Sequence, residues 1–162
     1  MLKNISHVTA ILLFGLVNMF LLPTQSNAQS LNNVQCRKAI TNAENRLRKI
    51  PYVLIENSYT KTFESNFPQG RPLEYIFYLT APIRNGVWVE YGIMNLQNSV
   101  QLMTHISQDI ISNCESISAV TFGSIFAPAC GITFGLMADG KVIAFEWVDI
   151  DKPAKWGESY CL

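Results

Sequence analysis

A histidine and an aspartate stand four residues apart in QLMTHISQDIISNC, as His105 and Asp109. On a helix that spacing sets an imidazole beside a carboxylate. With a serine or cysteine added, the pair would supply the base and the orienting acid of a nucleophilic site. The other histidine, His7, falls in an N-terminal leader, so His105 is alone downstream of it. None of the familiar nucleophile motifs accompanies the pair. We therefore read His105 as a residue at the border of a helix stripe, and the pair as weak catalytic candidates only.

The other chemistry-bearing residues are also sparse. Glu56, Glu74, Glu90 and Glu146 fall in strand-like stretches. A carboxylate pair for glycoside hydrolysis converges only in a fold, and each glutamate is expected on a solvent-facing side. Asp149 and Asp151 are too few for a calcium loop. His105 and Asp109 are too few for a closed metal site, so no metal and no cofactor are expected. GSIFAPACG has glycines but no lysine to meet a phosphate. It is expected as a loop folded over the core, with contact to a partner as the alternative. In PQGRP, Pro68 and Arg71 mark a possible binding loop. Arg71 there is either an anion clamp or a pin holding the loop to the domain, and the pin is preferred.

The segment that holds His7 also assigns the compartment. Residues 1–28 carry Lys3 as their only charge, an apolar run from Val8 to Leu22, then Pro23 and a polar stretch. That is the layout of a secretory signal peptide, with Ser26 and Ala28 as the small residues before cleavage after Ala28. The run is short against the roughly 20 residues a bilayer span needs, so no membrane span is expected after cleavage. Residues 29–162 then form a single domain, secreted or periplasmic. The 12 basic and 12 acidic side chains of the chain do not steer it towards nucleic acid.

All four cysteines, Cys36, Cys114, Cys130 and Cys161, lie downstream of the leader. An even number in an oxidising compartment reads as disulfides, and four allow three connectivities. Asp139-Gly140 between two apolar runs predicts a two-residue hairpin with positive φ at both positions. Gly131 would then face Val148 and Cys130 would lie near Asp149, where the tail carrying Cys161 departs. This favours Cys130 with Cys161, leaving Cys36 with Cys114, each bond worth roughly 4 kcal/mol.

Positioning these residues requires elements, and apolar spacing supplies them. Cys36, Ile40, Ala43, Leu47 and Ile50 form a helical stripe closed by Pro51. A second stripe, Leu96, Val100, Met103, Ile106 and Ile110, predicts a helix over 95–113. YVLIENSY, LEYIFYLT, SISAVTFG, ITFGLMA and KVIAFEWV read as strands, and VWVEYGI alternates as a further strand over 87–93. Asn85-Gly86 marks a tight turn before it. The order gives an α+β fold, a mostly antiparallel sheet of about five strands with two helices on one face.

A cysteine opening the first helix, PQGRP, ISQDIISNC with AVTFG, GLMADGKV and the terminal WGESYCL together resemble a group of small exported proteins of cyanobacteria. That group has no assigned function. The resemblance implies a cysteine at the place of Trp147, where this chain instead carries Cys130 on the facing strand. The expectation is a non-catalytic binding or envelope-associated module, monomeric, with an unknown protein or envelope component as partner. A small exported hydrolase and an inhibitor docking an exposed loop are the alternatives.

Overall fold

The computed structural model describes residues 33–63, 67, 68, 70–149, 151 and 153–160, with the backbone alone for 127–130. The expected leader, residues 1–28, and the cleavage site proposed after Ala28 lie outside them. Asn33 opens the first helix, its side chain accepting a hydrogen bond from the Gln35 N–H at 2.9 Å. That bond satisfies a donor a helix start leaves unpaired. Helix α1, Val34–Arg48, buries Cys36, Ala39, Ala43 and Leu47 on one stripe.

Strands β1 (Leu54–Thr62) and β2 (Leu73–Thr80) follow, then a ribbon of β3 (Ile83–Arg84) and β4 (Val87–Trp88). Helices α2 (Tyr91–Gln97) and α3 (Val100–Asn113) lead to β5 (Ile117–Ser124), β6 (Ala127–Leu136), β7 (Val142–Ala144), β8 (Glu146–Val148) and β9 (Glu158–Tyr160). Five strands make the main sheet in the order β1-β2-β5-β6-β7. Its pairings are antiparallel except that of β2 with β5, which is parallel. A parallel pair needs a long crossover, and α2 with α3 supplies it.

The core lies between this sheet and the helices, an α+β arrangement. Phe77, Phe122 and Phe134 come from neighbouring strands and are all buried. Their rings pack at 5.5 and 6.0 Å, against Leu47 of α1 and Met103, Ile106 and Ile110 of α3. Cys36, near the start of α1, and Cys114, which caps α3, stand at disulfide distance, with an S–S separation of 2.03 Å and 4.7 Å between their Cα atoms. The start of one helix therefore meets the end of the other, as antiparallel packing requires.

Several expectations are corrected. The alternation over 87–93 yields a strand only at Val87–Trp88, because Gly92, Ile93 and Leu96 are buried on a helical spacing in α2. A Cβ at Gly92 would come within 2.3 Å of the Pro51 carbonyl oxygen, so the backbones of α2 and the α1–β1 turn are nearly in contact. The single helix expected over 95–113 is two, so the described residues hold three helices where two were expected. The chain bends at Ser99, which has φ −96° and ψ 67°, and Val100 leaves the buried stripe for the surface.

The turns divide in the same way. Asn85 and Gly86 both have positive φ, and Arg84 pairs with Val87, so that hairpin has the two-residue form. At the second hairpin only Gly140 has positive φ. There Leu136 pairs with Val142, one residue off the expected register. GSIFAPACG is not a loop over the core. It forms a tight turn at Ile125 and Phe126 and then enters β6. KVIAFEWV splits at Phe145: β7 stays on β6, while β8 leaves to pair in parallel with β9. The register behind the Cys130 to Cys161 pairing therefore does not hold. The Cys130 side chain and Cys161 themselves lie outside the described residues.

Candidate functional site

His105 is exposed, and the carboxylate one turn on is otherwise engaged. Asn113 Nδ2 donates to the Asp109 backbone oxygen at 2.7 Å and to Asp109 Oδ1 at 3.3 Å. No hydrogen bond joins His105 to Asp109 among the described residues, and His105 sits as the exposed helix residue that the stripe suggested. Glu56 and Glu146 are exposed on their strands, and Glu90 lies outside any strand, just ahead of α2. Among the described residues no three His, Cys, Asp or Glu side chains gather as a metal site would need.

Arg71 is a pin. Its Nη1 donates to the carbonyls of Ile111 at 2.8 Å, Ile117 at 3.0 Å and Cys114 at 3.4 Å. These include carbonyls at the end of α3, where a helix leaves acceptors unpaired and favours a cation. The loop turns at Pro68, whose carbonyl accepts the Arg71 N–H at 3.0 Å. Nη1 donates to three backbone oxygens of the α3–β5 segment, so the geometry supports the pin reading preferred from the sequence.

Glu74 is the one strand glutamate that departs from expectation. It is partly buried on the sheet face away from the helices. Thr121 donates its hydroxyl to Glu74 Oε1, and the Thr121 and Thr133 oxygens lie 2.6 Å apart. Thr121 has a single proton, so Thr133 must donate to it, and a polar chain runs across β2, β5 and β6. Burial raises the Glu74 carboxyl above its ordinary value, outweighing the Thr121 hydrogen bond and the charge of Lys61.

A raised carboxyl keeps its proton in the folded chain at pH values where the unfolded chain has lost it. Its contribution to stability is complete below the ordinary value of 4.5 and is lost as pH rises through the folded value. Glu74→Gln removes the ionisation and keeps an acceptor for Thr121. The variant is expected to melt above the wild type near neutral pH, with the two converging in acid. Thermal melts across a pH series provide the check, and a difference independent of pH would show that burial does not hold the proton.

The surface that stands out is aromatic. At the end of the sheet where β1 begins and β2 and β5 finish, four segments meet. The β3–β4 ribbon carries Trp88, whose ring meets Phe126 of the β5–β6 turn edge-on at 5.4 Å. Tyr52, beside Pro51, contacts Tyr91 of α2 at 4.5 Å between ring centres. Arg84 lies over the Tyr52 ring at 4.9 Å, a cation–π arrangement. Trp88, Tyr91, Met94 and Ile83 are exposed, and Val87 is 66% exposed. The hydrogen bond with Tyr91, ahead of the Arg84 charge, lowers the Tyr52 hydroxyl below the ordinary phenol range.

No local pattern announced this cluster, because its members come from four separate segments. The nearest signal was the apolar GSIFAPACG stretch, whose Phe126 does join it. Fold and surface together define an α+β fold with a cysteine pair at disulfide distance and an aromatic end. No family model, curated protein or solved structure matches the chain.

Proposed function

We propose that this chain is an exported, non-catalytic binding module of the cell envelope, with its aromatic end as the recognition surface. The observation that carries the proposal is two aromatic contacts on neighbouring segments, Trp88 on Phe126 and Tyr91 on Tyr52 with Arg84 over the Tyr52 ring, with Trp88, Tyr91 and Met94 exposed. Trp, Tyr, Met and Arg are enriched where protein interfaces draw their energy. Exposing them costs solubility unless a partner covers them. The matching partner is a protein surface that is apolar at its centre, with an acidic side chain to meet Arg84. Export is supported by the leader-like N-terminus, by the close Cys36 and Cys114 pair, and by the resemblance to exported cyanobacterial proteins. No helix among the described residues is long and apolar enough to cross a membrane.

The test compares the wild type with a Trp88→Ala, Arg84→Glu double variant, each immobilised and exposed to solubilised envelope proteins. Both side chains are exposed, so unchanged thermal melts will certify folding. The expected result is a protein retained by the wild type and lost from the variant. Equal retention by both, or none by the wild type, would overturn the proposal.

A further inference from the structure

We infer that the groove between β8 and the segment that leads into β9 is a saccharide-binding site, separate from the aromatic end. Its volume is about 450 Å³, and Trp147, Val148, Asp149, Pro153, Lys155 and Glu158 line it. That volume is in the range of small-molecule sites. Trp147 is 57% exposed although it sits in a strand. Its indole supplies one broad apolar wall, and Asp149, Glu158 and Lys155 supply acceptors and a donor around it.

The far wall is braced. The Lys155 N–H donates to Glu158 Oε2 at 2.8 Å, and among the described residues Oε1 has no hydrogen-bond partner. The Ala154 N–H donates to the Tyr160 hydroxyl, fixing the turn over Pro153. The parallel β8–β9 ladder, with Trp147 opposite Ser159 and Val148 opposite Tyr160, holds the two walls together. A wall set in advance lowers the ordering cost of binding.

The chemistry selects the ligand. A pyranose has a C–H face that lies flat on an aromatic ring and hydroxyls at its edge that bond carboxylates and ammonium groups. Two acids and one base leave the groove weakly negative, so polyanions such as nucleic acid are disfavoured. A fatty chain would cover Asp149, Lys155 and Glu158 while offering them no hydrogen bonds. A neutral saccharide unit satisfies both the flat wall and the charged rim.

The experiment is calorimetric titration of the whole chain with cellotetraose and with chitotetraose. Binding of at least one of them is expected, weakened about tenfold or more by Trp147→Ala, a factor that a lost aromatic contact can supply. The Trp88→Ala variant is expected to bind as the wild type does, which separates this site from the aromatic end. Protection of Trp147 from oxidation by bound sugar gives a second readout on the unaltered chain. No binding of either sugar at millimolar concentration, or equal binding by Trp147→Ala, would overturn the inference.

Discussion

Replacing Cys36 and Cys114 together with serine is expected to lower the unfolding free energy by about 4 kcal/mol. The bond joins positions 78 residues apart, and closing so long a loop removes much of the unfolded chain's freedom. Both sulfurs belong to residues with no exposed surface. Serine would therefore add buried hydroxyls in an apolar setting, a further cost. A domain of this size is stable by roughly 5–15 kcal/mol, so the double variant would keep only part of that margin. Urea unfolding of both proteins, without reductant, measures the difference directly. A loss below about 1 kcal/mol would mean that packing of α1 on α3 already orders the unfolded chain.

The second large effect is expected at Arg71. Truncation to alanine removes the donor shared by the Ile111, Cys114 and Ile117 carbonyls. Hydrogen bonds to a charged group are worth about 1.5–3 kcal/mol each. Their shared donor is a single Nη1, so a total loss of about 3 kcal/mol is the expected figure. Arg71→Lys should recover only part of it, because the lysine ammonium ends one bond short of the Nη1 position on a flexible stem and cannot reach all three carbonyls at once. Chemical denaturation supplies the numbers. Hydrogen exchange supplies the location, with faster exchange expected at the end of α3 and the start of β5. Equal stability of Arg71→Ala and wild type would show that water satisfies those carbonyls equally well.

These two sites illustrate how differently the chain's features can be read. The Cys36 position was legible, since it sits on the apolar stripe of a helix, and a stripe is a local property. Arg71 was legible only as a choice between clamp and pin. Its carbonyl partners lie 40 to 46 residues away, and nothing around PQGRP names them. Glu74 was grouped with three other strand glutamates. Its own burial depends on the sheet around it, and on Thr121 and Thr133 arriving from strands far along the chain.

What the sequence determined by itself follows from periodicity and turn chemistry. The α+β class, α1, the strands β1, β2 and β5 and the Asn85-Gly86 hairpin all rest on neighbours within a few residues. The tertiary structure decided the rest. It turned 91–97 into a helix by packing Gly92 against Pro51, and it set β2 parallel to β5. It drew β8 away from β6 to meet β9, and so opened the groove beside Trp147. It also gathered Tyr52, Arg84, Trp88, Tyr91 and Phe126 at one end. The physical reason is that spacing along a chain records which face of an element is apolar, whereas strand pairing and surface clusters depend on which elements meet once that face is buried.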